Sequence, residues 1–194
     1  MPAKSVAEFV DHAKKHPNKL SLGSGGNGTI PHLGGELFKQ RAGIAFTHVP
    51  YKGGAQAMAD LIAGQLDFTI DGGAHVVSQI DAGKVRMLAI AADQRSKQFP
   101  EVPTLKEAGL NYPGQGWWGL AAPKGTPAAI VEKVNAAFVS VFSDPRFAEF
   151  LDKQLVVPAP TSPAAFAAFL KEDRKAAEAL VKIANEPRKE YKPQ

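Results

Sequence analysis

Residues 19–33 read KLSLGSGGNGTIPHL, and the order of residue types in that stretch decides the fold. Leu20 and Leu22 alternate with polar neighbours, which predicts a short strand. The glycines from Gly23 to Gly28 end it. Thr29 then stands at an N-cap position with Pro31 in the first helical turn. Leu33, Leu37 and Phe38 share one face, and Gly43 is the stop. A strand that runs through a glycine turn into a helix opens a βα unit.

The same rhythm extends in both directions. Upstream, Ser5 and Glu8 form an S-x-x-E capping box for a helix carrying Phe9, Val10 and Ala13 as far as Pro17. Downstream, IAFTHV (44–49) predicts a strand and AQAMADLIA (55–63) a helix ended by Gly64. LDFTI (66–70) is a third strand, AHVVSQIDA (74–82) a helix stopped at Gly83, and VRMLAIA (85–91) a fourth strand. Strands alternating with helices predict a parallel sheet of the α/β class.

From Arg95 the rhythm breaks. Pro100, Pro103 and Pro113 flank one short helix, TLKEAG (104–109), capped by Thr104 and Glu107. GWWGLAAP (116–123) reads as a strand leaving the first body. A helix opens at Thr126–Pro127, another runs from Asp144–Pro145 to near Gln154, and LVVPAP (155–160) is a short strand. Ser162–Pro163 caps a final helix reaching Asn185, and the charged tail from Glu186 is expected to fray. Two regions are expected, 1–114 and 115–194, joined near residues 111–119. The second has only two strand candidates for helices bearing Phe138, Val141, Phe142, Phe150, Phe166, Phe169 and Leu170. Helices of this kind usually lie on a sheet of several strands. Either a further segment or a partner chain is expected to complete it. Apolar surface around Phe138, Phe142, Phe166 and Phe169 is otherwise left exposed and open to self-association.

The chain has 194 residues, 44% hydrophobic and 22% charged, a composition that excludes disorder. Its net charge of +4 is scattered, which favours small anionic ligands and gives little support to nucleic-acid binding. Cysteine is absent, so disulfides, thiolate metal sites and cysteine nucleophiles are excluded. No apolar run approaches the roughly 20 residues of a membrane span. The N-terminus, MPAKSVAEFVDHAKKHP, lacks the three regions of a secretory signal. The chain is therefore cytoplasmic or does not show its true beginning.

The glycine turn is the strongest site candidate. Glycines let backbone approach a ligand, and the helix that follows presents unpaired N–H groups and a dipole that favour a carboxylate or phosphate. Ser24, Asn27 and Thr29 add side-chain donors beside Gly25, Gly26 and Gly28, and His32 stands one turn in. A plain strand–helix turn is the alternative. Gly23, Gly25 and Gly28 also satisfy G-x-G-x-x-G, which keeps open a nucleotide-binding α/β enzyme using the GSGGNG turn. That fingerprint needs an acid near the end of the second strand, and FTHVPYKGG offers none. No G-K-[ST] follows for a P-loop, and Leu22 occupies the first glycine position of a nucleophile elbow.

Ligands in open α/β sheets sit at the carboxyl ends of strands. The second turn places Tyr51, Lys52, Gly53 and Gly54 there, and the third places Asp71. Tyr51 offers a flat face with a hydroxyl, and Lys52 a charge that either meets ligand or is merely solvated. Asp71 either caps the next helix or accepts hydrogen bonds in the cleft; a ligand carboxylate would meet it only through a bridge such as water. His12 and His16 lack a third metal ligand and read as a solvated helix face. His48 and His75 have no partner in sequence. Strand alternation would turn one of Trp117 and Trp118 to the core and the other to the cleft. Neither a metal nor a cofactor is expected.

In order and spacing, PAKSVAEFV, HPNKLSLGSGGNGTIPHL, GELFKQRAGI, HVPYKGGAQAMADLIAGQLDFTID, QIDAGKVRMLAIA and FPEVPTLKEAGL resemble the Bug (TctC-like) solute-binding receptors of tripartite tricarboxylate transporters. WWGLAAPKGTPAAIVEKVN and TSPAAFAAFLKED continue the resemblance through the whole chain. It implies a periplasmic, non-enzymatic receptor of two α/β lobes, periplasmic-binding-protein-like in fold, that delivers a small carboxylate to membrane transporter components or a sensor partner. Such receptors hold a ligand carboxylate with backbone amides, helix N-termini and bridging waters. The resemblance assigns that role to Ser24 through Thr29, Tyr51–Gly54 and Asp71. Family members carry a signal peptide and most of the first lobe before the PAKSVAEF segment. It thus implies a complete ligand-binding lobe in 1–114 and an incomplete C-terminal portion of the other lobe in 115–194.

Overall fold

The computed structural model of the chain describes residues 1–110 and 116–185. The expected junction at 114/115 and the tail from Glu186 lie outside the described residues. In chain order the elements are α1 (Val6–Lys15), β1 (Ser21–Ser24), α2 (Ile30–Ala42), β2 (Thr47–Pro50), α3 (Gly54–Ile62), β3 (Phe68–Thr69), α4 (Gly73–Asp81), α5 (Ala128–Phe142), α6 (Pro145–Asp152) and α7 (Pro163–Ile183). The sheet is parallel throughout, in the order β2-β1-β3, with Leu22 opposite His48 and Phe68. The α/β class expected from the alternating pattern is what forms.

Side-chain alternation along β1 sets which helix covers which face. Leu22 is fully buried, and a Cβ on Gly35 of α2 would run into its side chain. Gly23 points the other way, where a Cβ would meet Leu66 and, at 3.3 Å, Ala57 of α3. The helices α2 and α3 therefore lie on opposite faces of the sheet. The core joins Val6, Phe9 and Ala13 of α1 to Leu20, Leu22, Phe38 and Phe46, with Phe9 edge-on to Phe68 at 4.8 Å. Helix α7 packs on α2.

Several helix signals act as expected. Ser5 Oγ accepts the Glu8 amide at 3.2 Å, while the Glu8 carboxylate reaches back to the Lys4 amide at 2.7 Å. Asp144 and Ser162 cap α6 and α7. Gly43, Gly64 and Gly83 end their helices at positive φ.

The strand expectations fail in three places. VRMLAIA makes a single bridge, Ile90 with Thr104, because β3 is only two residues long and gives its edge little ladder to extend. Leu88 and Ala89 still pack on the core by their side chains. GWWGLAAP and LVVPAP are not strands; no ladder partner exists for them among the described residues. TLKEAG is a turn rather than a helix, although its reciprocal cap forms, Thr104 amide to Glu107 at 2.8 Å and Glu107 amide to Thr104 Oγ1 at 3.1 Å.

The apolar helix faces are exposed in part. Phe138 and Phe169 stand open to solvent, as do Val141, Phe150 and Leu170. Phe142 and Phe166, expected to be exposed as well, are half-buried by ring contacts with Phe147 and Trp117.

Candidate functional site

The three strand-to-helix turns meet at one end of the sheet. A Cβ on Gly25 would lie 3.2 Å from the Gly54 amide nitrogen, and one on Gly26 would lie 3.3 Å from the Tyr51 carbonyl oxygen. A Cβ on Gly54 would in turn lie 3.5 Å from Asp71 Oδ2. Glycine is needed because backbone touches backbone here. The expected site residues of all three turns are thus brought to one place.

The helices that start from these turns share one feature, which α5, away from the turns, also has. None of α2, α3 and α4 has a side-chain cap or an acidic residue in its first turn. By contrast α1, α6 and α7 are capped by Ser5, Asp144 and Ser162. Thr29 occupies the N-cap of α2 as expected, but its Oγ1 donates backwards to the Gly26 carbonyl at 2.7 Å instead of capping. Three uncapped N-termini at one sheet edge leave donors and positive dipole ends for an anion.

Beneath the first turn the polar groups are tied together. Ser24, 1% exposed, accepts the Gly26 amide at 3.1 Å and lies 2.6 Å from His48 Nε2. The buried His32 accepts the Gly28 amide on Nδ1 at 3.1 Å and stacks on His48 with ring centroids 4.0 Å apart. The amides of Gly25, Asn27 and Ile30 donate to no described residue. Asn27 itself is exposed.

In the second turn the Tyr51 hydroxyl faces inward, donating to Asp60 Oδ2 at 2.7 Å. Its proton is thus engaged, which leaves the ring and the acceptor side of the hydroxyl for a ligand. That bond, with some desolvation and the Asp60 charge, raises the phenol above its ordinary 10.0. A raised value stabilises the fold at all pH below the ordinary one, and the contribution is lost as pH rises through the raised one. In an alkaline absorbance titration, one of the three tyrosines should ionise late, and Asp60→Ala, which removes the acceptor, should bring it back among the others. An unchanged curve in that variant would remove the hydrogen bond as the cause. Lys52 is exposed, and Gly53 forms the extended N-cap of α3.

Asp71 lies back against α4, accepting the Gly72 amide at 2.7 Å with His75 Nδ1 at 3.1 Å. Its side chain is 12% exposed and that of His75 65%. His75, expected to have no partner, is paired with Asp71 one helical turn earlier, and the i, i+4 spacing is the signal that would have shown it. Of the two tryptophans, Trp118 is the one at the third turn: its indole covers Gly72, where a Cβ would lie 3.4 Å from the ring. Trp117 turns away to Phe166 and Phe169. Gly116 approaches Ile30, so residues 116–118 cross from the first turn to the third. Two shallow hollows lie elsewhere, one beside Asp144 and Phe147 and one beside Ser78 and Gln154. Among the described residues no cluster of His, Asp and Glu suits a metal ion, and no helix is long and apolar enough to cross a membrane.

The family described as tripartite tricarboxylate transporter family receptor matches residues 1–185. The chain belongs to this family. A Cupriavidus necator relative, "UPF0065 protein in gbd 5'region", is 36% identical over 180 residues, which are 93% of this chain and 55% of the relative. Protein BugT of Bordetella pertussis is 34% identical over 132 residues, 68% of this chain and 40% of its own length. Among solved structures, R. palustris Rpa4515 with adipate superposes with a TM-score of 0.91 at 31% identity, covering 95% of this chain and 62% of that one. MatC from Rhodopseudomonas palustris with bound malate gives 0.83 at 32% identity, covering 93% and 63%. The chain spans about half the length of these sequence relatives and under two thirds of the structural ones. As a receptor family it consists of binding proteins, and the resemblance read from the sequence motifs holds.

Proposed function

We propose that the chain carries the ligand-binding surface of a periplasmic receptor for a small carboxylate, without a catalytic step, that delivers its solute to membrane components of a tripartite transporter or to a sensor partner. The observation that carries this reading is the convergence of three uncapped helix N-termini on one sheet edge. Relatives of the same fold hold adipate and malate. Residues 1–114 form the ligand lobe in this reading, and 115–194 contribute to a second lobe. Gly25, Asn27 and Ile30 offer amides to the carboxylate, the Tyr51 ring forms a wall, and Asp71 receives a ligand hydroxyl or an ordered water. Ser24, Gly26, Gly28, Thr29 and His32 hold the first turn in shape, and Lys52 and Gly53 lie at the rim. The exposed faces of α5 and α7 are surfaces for further chain or for self-association.

Calorimetric and thermal-shift titrations with adipate, malate and related acids test the reading, with NAD and ATP as controls. A melting temperature raised by carboxylates alone supports it, since only ligands that prefer the native state raise it. A response to nucleotides alone replaces it with the enzyme reading of the glycine turn. Within the site, Asp71→Ala should weaken binding more than Lys52→Ala, because Asp71 is fixed by two partners beside Gly54 and Lys52 is solvated. Equal affinity of Asp71→Ala and wild type would take Asp71 out of the site.

A further inference from the structure

We propose that His32 is a positioning residue for the glycine-rich turn, holding it only while its imidazole is neutral, so that acid releases the turn and lowers carboxylate affinity. The affinity part rests on the receptor reading above; the positioning part rests on geometry alone. His32 is 4% exposed, and its Nδ1 accepts the Gly28 amide at 3.1 Å. A neutral imidazole that accepts on one nitrogen carries its hydrogen on the other, whereas an imidazolium carries hydrogen on both. Protonating His32 therefore sets N–H against N–H at this contact and turns a bond into a repulsion. Gly28 has a φ of 77°, so the turn bends at the very residue this contact holds.

The neighbouring ring extends the argument. His48 stacks on His32 with planes 17° apart, and its Nε2 meets Ser24 Oγ, which accepts the Gly26 amide. Alternate amides of the turn, Gly26 and Gly28, are thus held from beneath by two stacked imidazoles, one directly and one through a serine. Several charged groups on the surrounding elements are engaged with other partners. Glu36 on α2 pairs with Lys39 at 2.6 Å, and Asp67 before β3 accepts from the Ser21 amide and hydroxyl. Asp71 of the third turn is held by Gly72 and His75. On α7, Arg174 pairs with Glu178 and Lys175 with Glu172. Lys52, in the second turn, is exposed. Among the described residues, His48 is a titratable group in ring contact with His32.

The test is nitrogen-15 NMR of the full chain between about pH 8 and pH 5, the range in which an ordinary imidazole titrates. Wild type, His32→Asn and His32→Leu are compared, and adipate and malate affinities are measured on the same samples. Asparagine places an oxygen acceptor near the Nδ1 position and does not titrate. In wild type the Gly28 amide resonance should move with the midpoint of the His32 ring, and in His32→Asn it should stay constant. In His32→Leu the Gly28 amide should exchange roughly tenfold faster, the loss of one hydrogen bond. A Gly28 resonance that ignores the ring, a ring that does not titrate in this range, or the same response in His32→Asn overturns the proposal. Should His32→Leu fail to fold, the other two proteins decide. If Gly28 follows His32 but neither acid binds at any pH, positioning stands and the receptor reading falls. If an acid binds equally across the range with Gly28 unmoved, the receptor reading stands and positioning falls.

Discussion

Gly35→Val should lower the stability of the chain by about 1–3 kcal/mol, the usual cost of forcing extra methyl groups into a filled core. The position lies inside α2, where valine has the better helix propensity by a few tenths of a kcal/mol. A measured loss therefore reports the contact and not the helix. A Cβ at Gly35 would run into Leu22, which is fully buried at the centre of β1, with Phe46 3.7 Å away. Leu22→Ala alone should cost about 3–5 kcal/mol by leaving a cavity. The double variant should cost less than the sum, because the valine enters the space that the leucine leaves. Urea unfolding of the four proteins measures this, and strict additivity would show that α2 does not press on β1 at Gly35.

That close approach was not itself legible, although the first half was. The β1–α2 unit was readable because the glycines from Gly23 to Gly28 end a strand and Gly43 ends a helix, while the roles of Gly23 and Gly35 in admitting α3 and α2 on opposite faces emerge only from the packing. Local signals such as the Ser5, Asp144 and Ser162 caps depend on residues within one turn, so they survive any tertiary arrangement. A strand is different, since alternation only offers a pairing that a neighbour must accept. VRMLAIA has the pattern but borders a two-residue β3, and GWWGLAAP and LVVPAP find no neighbour among the described residues.

The candidate site was legible as a set of neighbouring positions and not as partners. Strand ends and glycine turns located Ser24 through Thr29, Tyr51–Gly53 and Asp71, because parallel topology delivers every such turn to one edge. The contacts among them depend on register. His48 looks isolated in sequence, yet it stands opposite Leu22 and so shares the α2 face with His32 and Ser24. Tyr51 was readable as a wall but not as a donor to Asp60, nine residues on along α3. Trp118 reaches Gly72 across a span that no local pattern encodes.

Gly25→Val should weaken carboxylate binding by about tenfold to a hundredfold, or roughly 1.4–2.8 kcal/mol, with a much smaller effect on stability. Every atom its Cβ would approach is backbone, the Gly54 nitrogen at 3.2 Å and the Gly53 carbonyl carbon at 3.5 Å. No side chain can rotate aside, so the first and second turns must separate. Two helix N-termini that now meet would then address an anion from different places, and the gain from a preorganised donor set is lost. Asn27→Ala is the control, since Asn27 is exposed and its backbone amide survives the change. It should bind within a few-fold of wild type. Calorimetry with adipate or malate, beside thermal melts of all three proteins, separates the cases. Loss of binding in Gly25→Val at an unchanged melting temperature places the ligand between the two turns. Wild-type affinity in that variant would mean that the ligand touches only one of them, and the convergence of the three N-termini would be architecture without recognition.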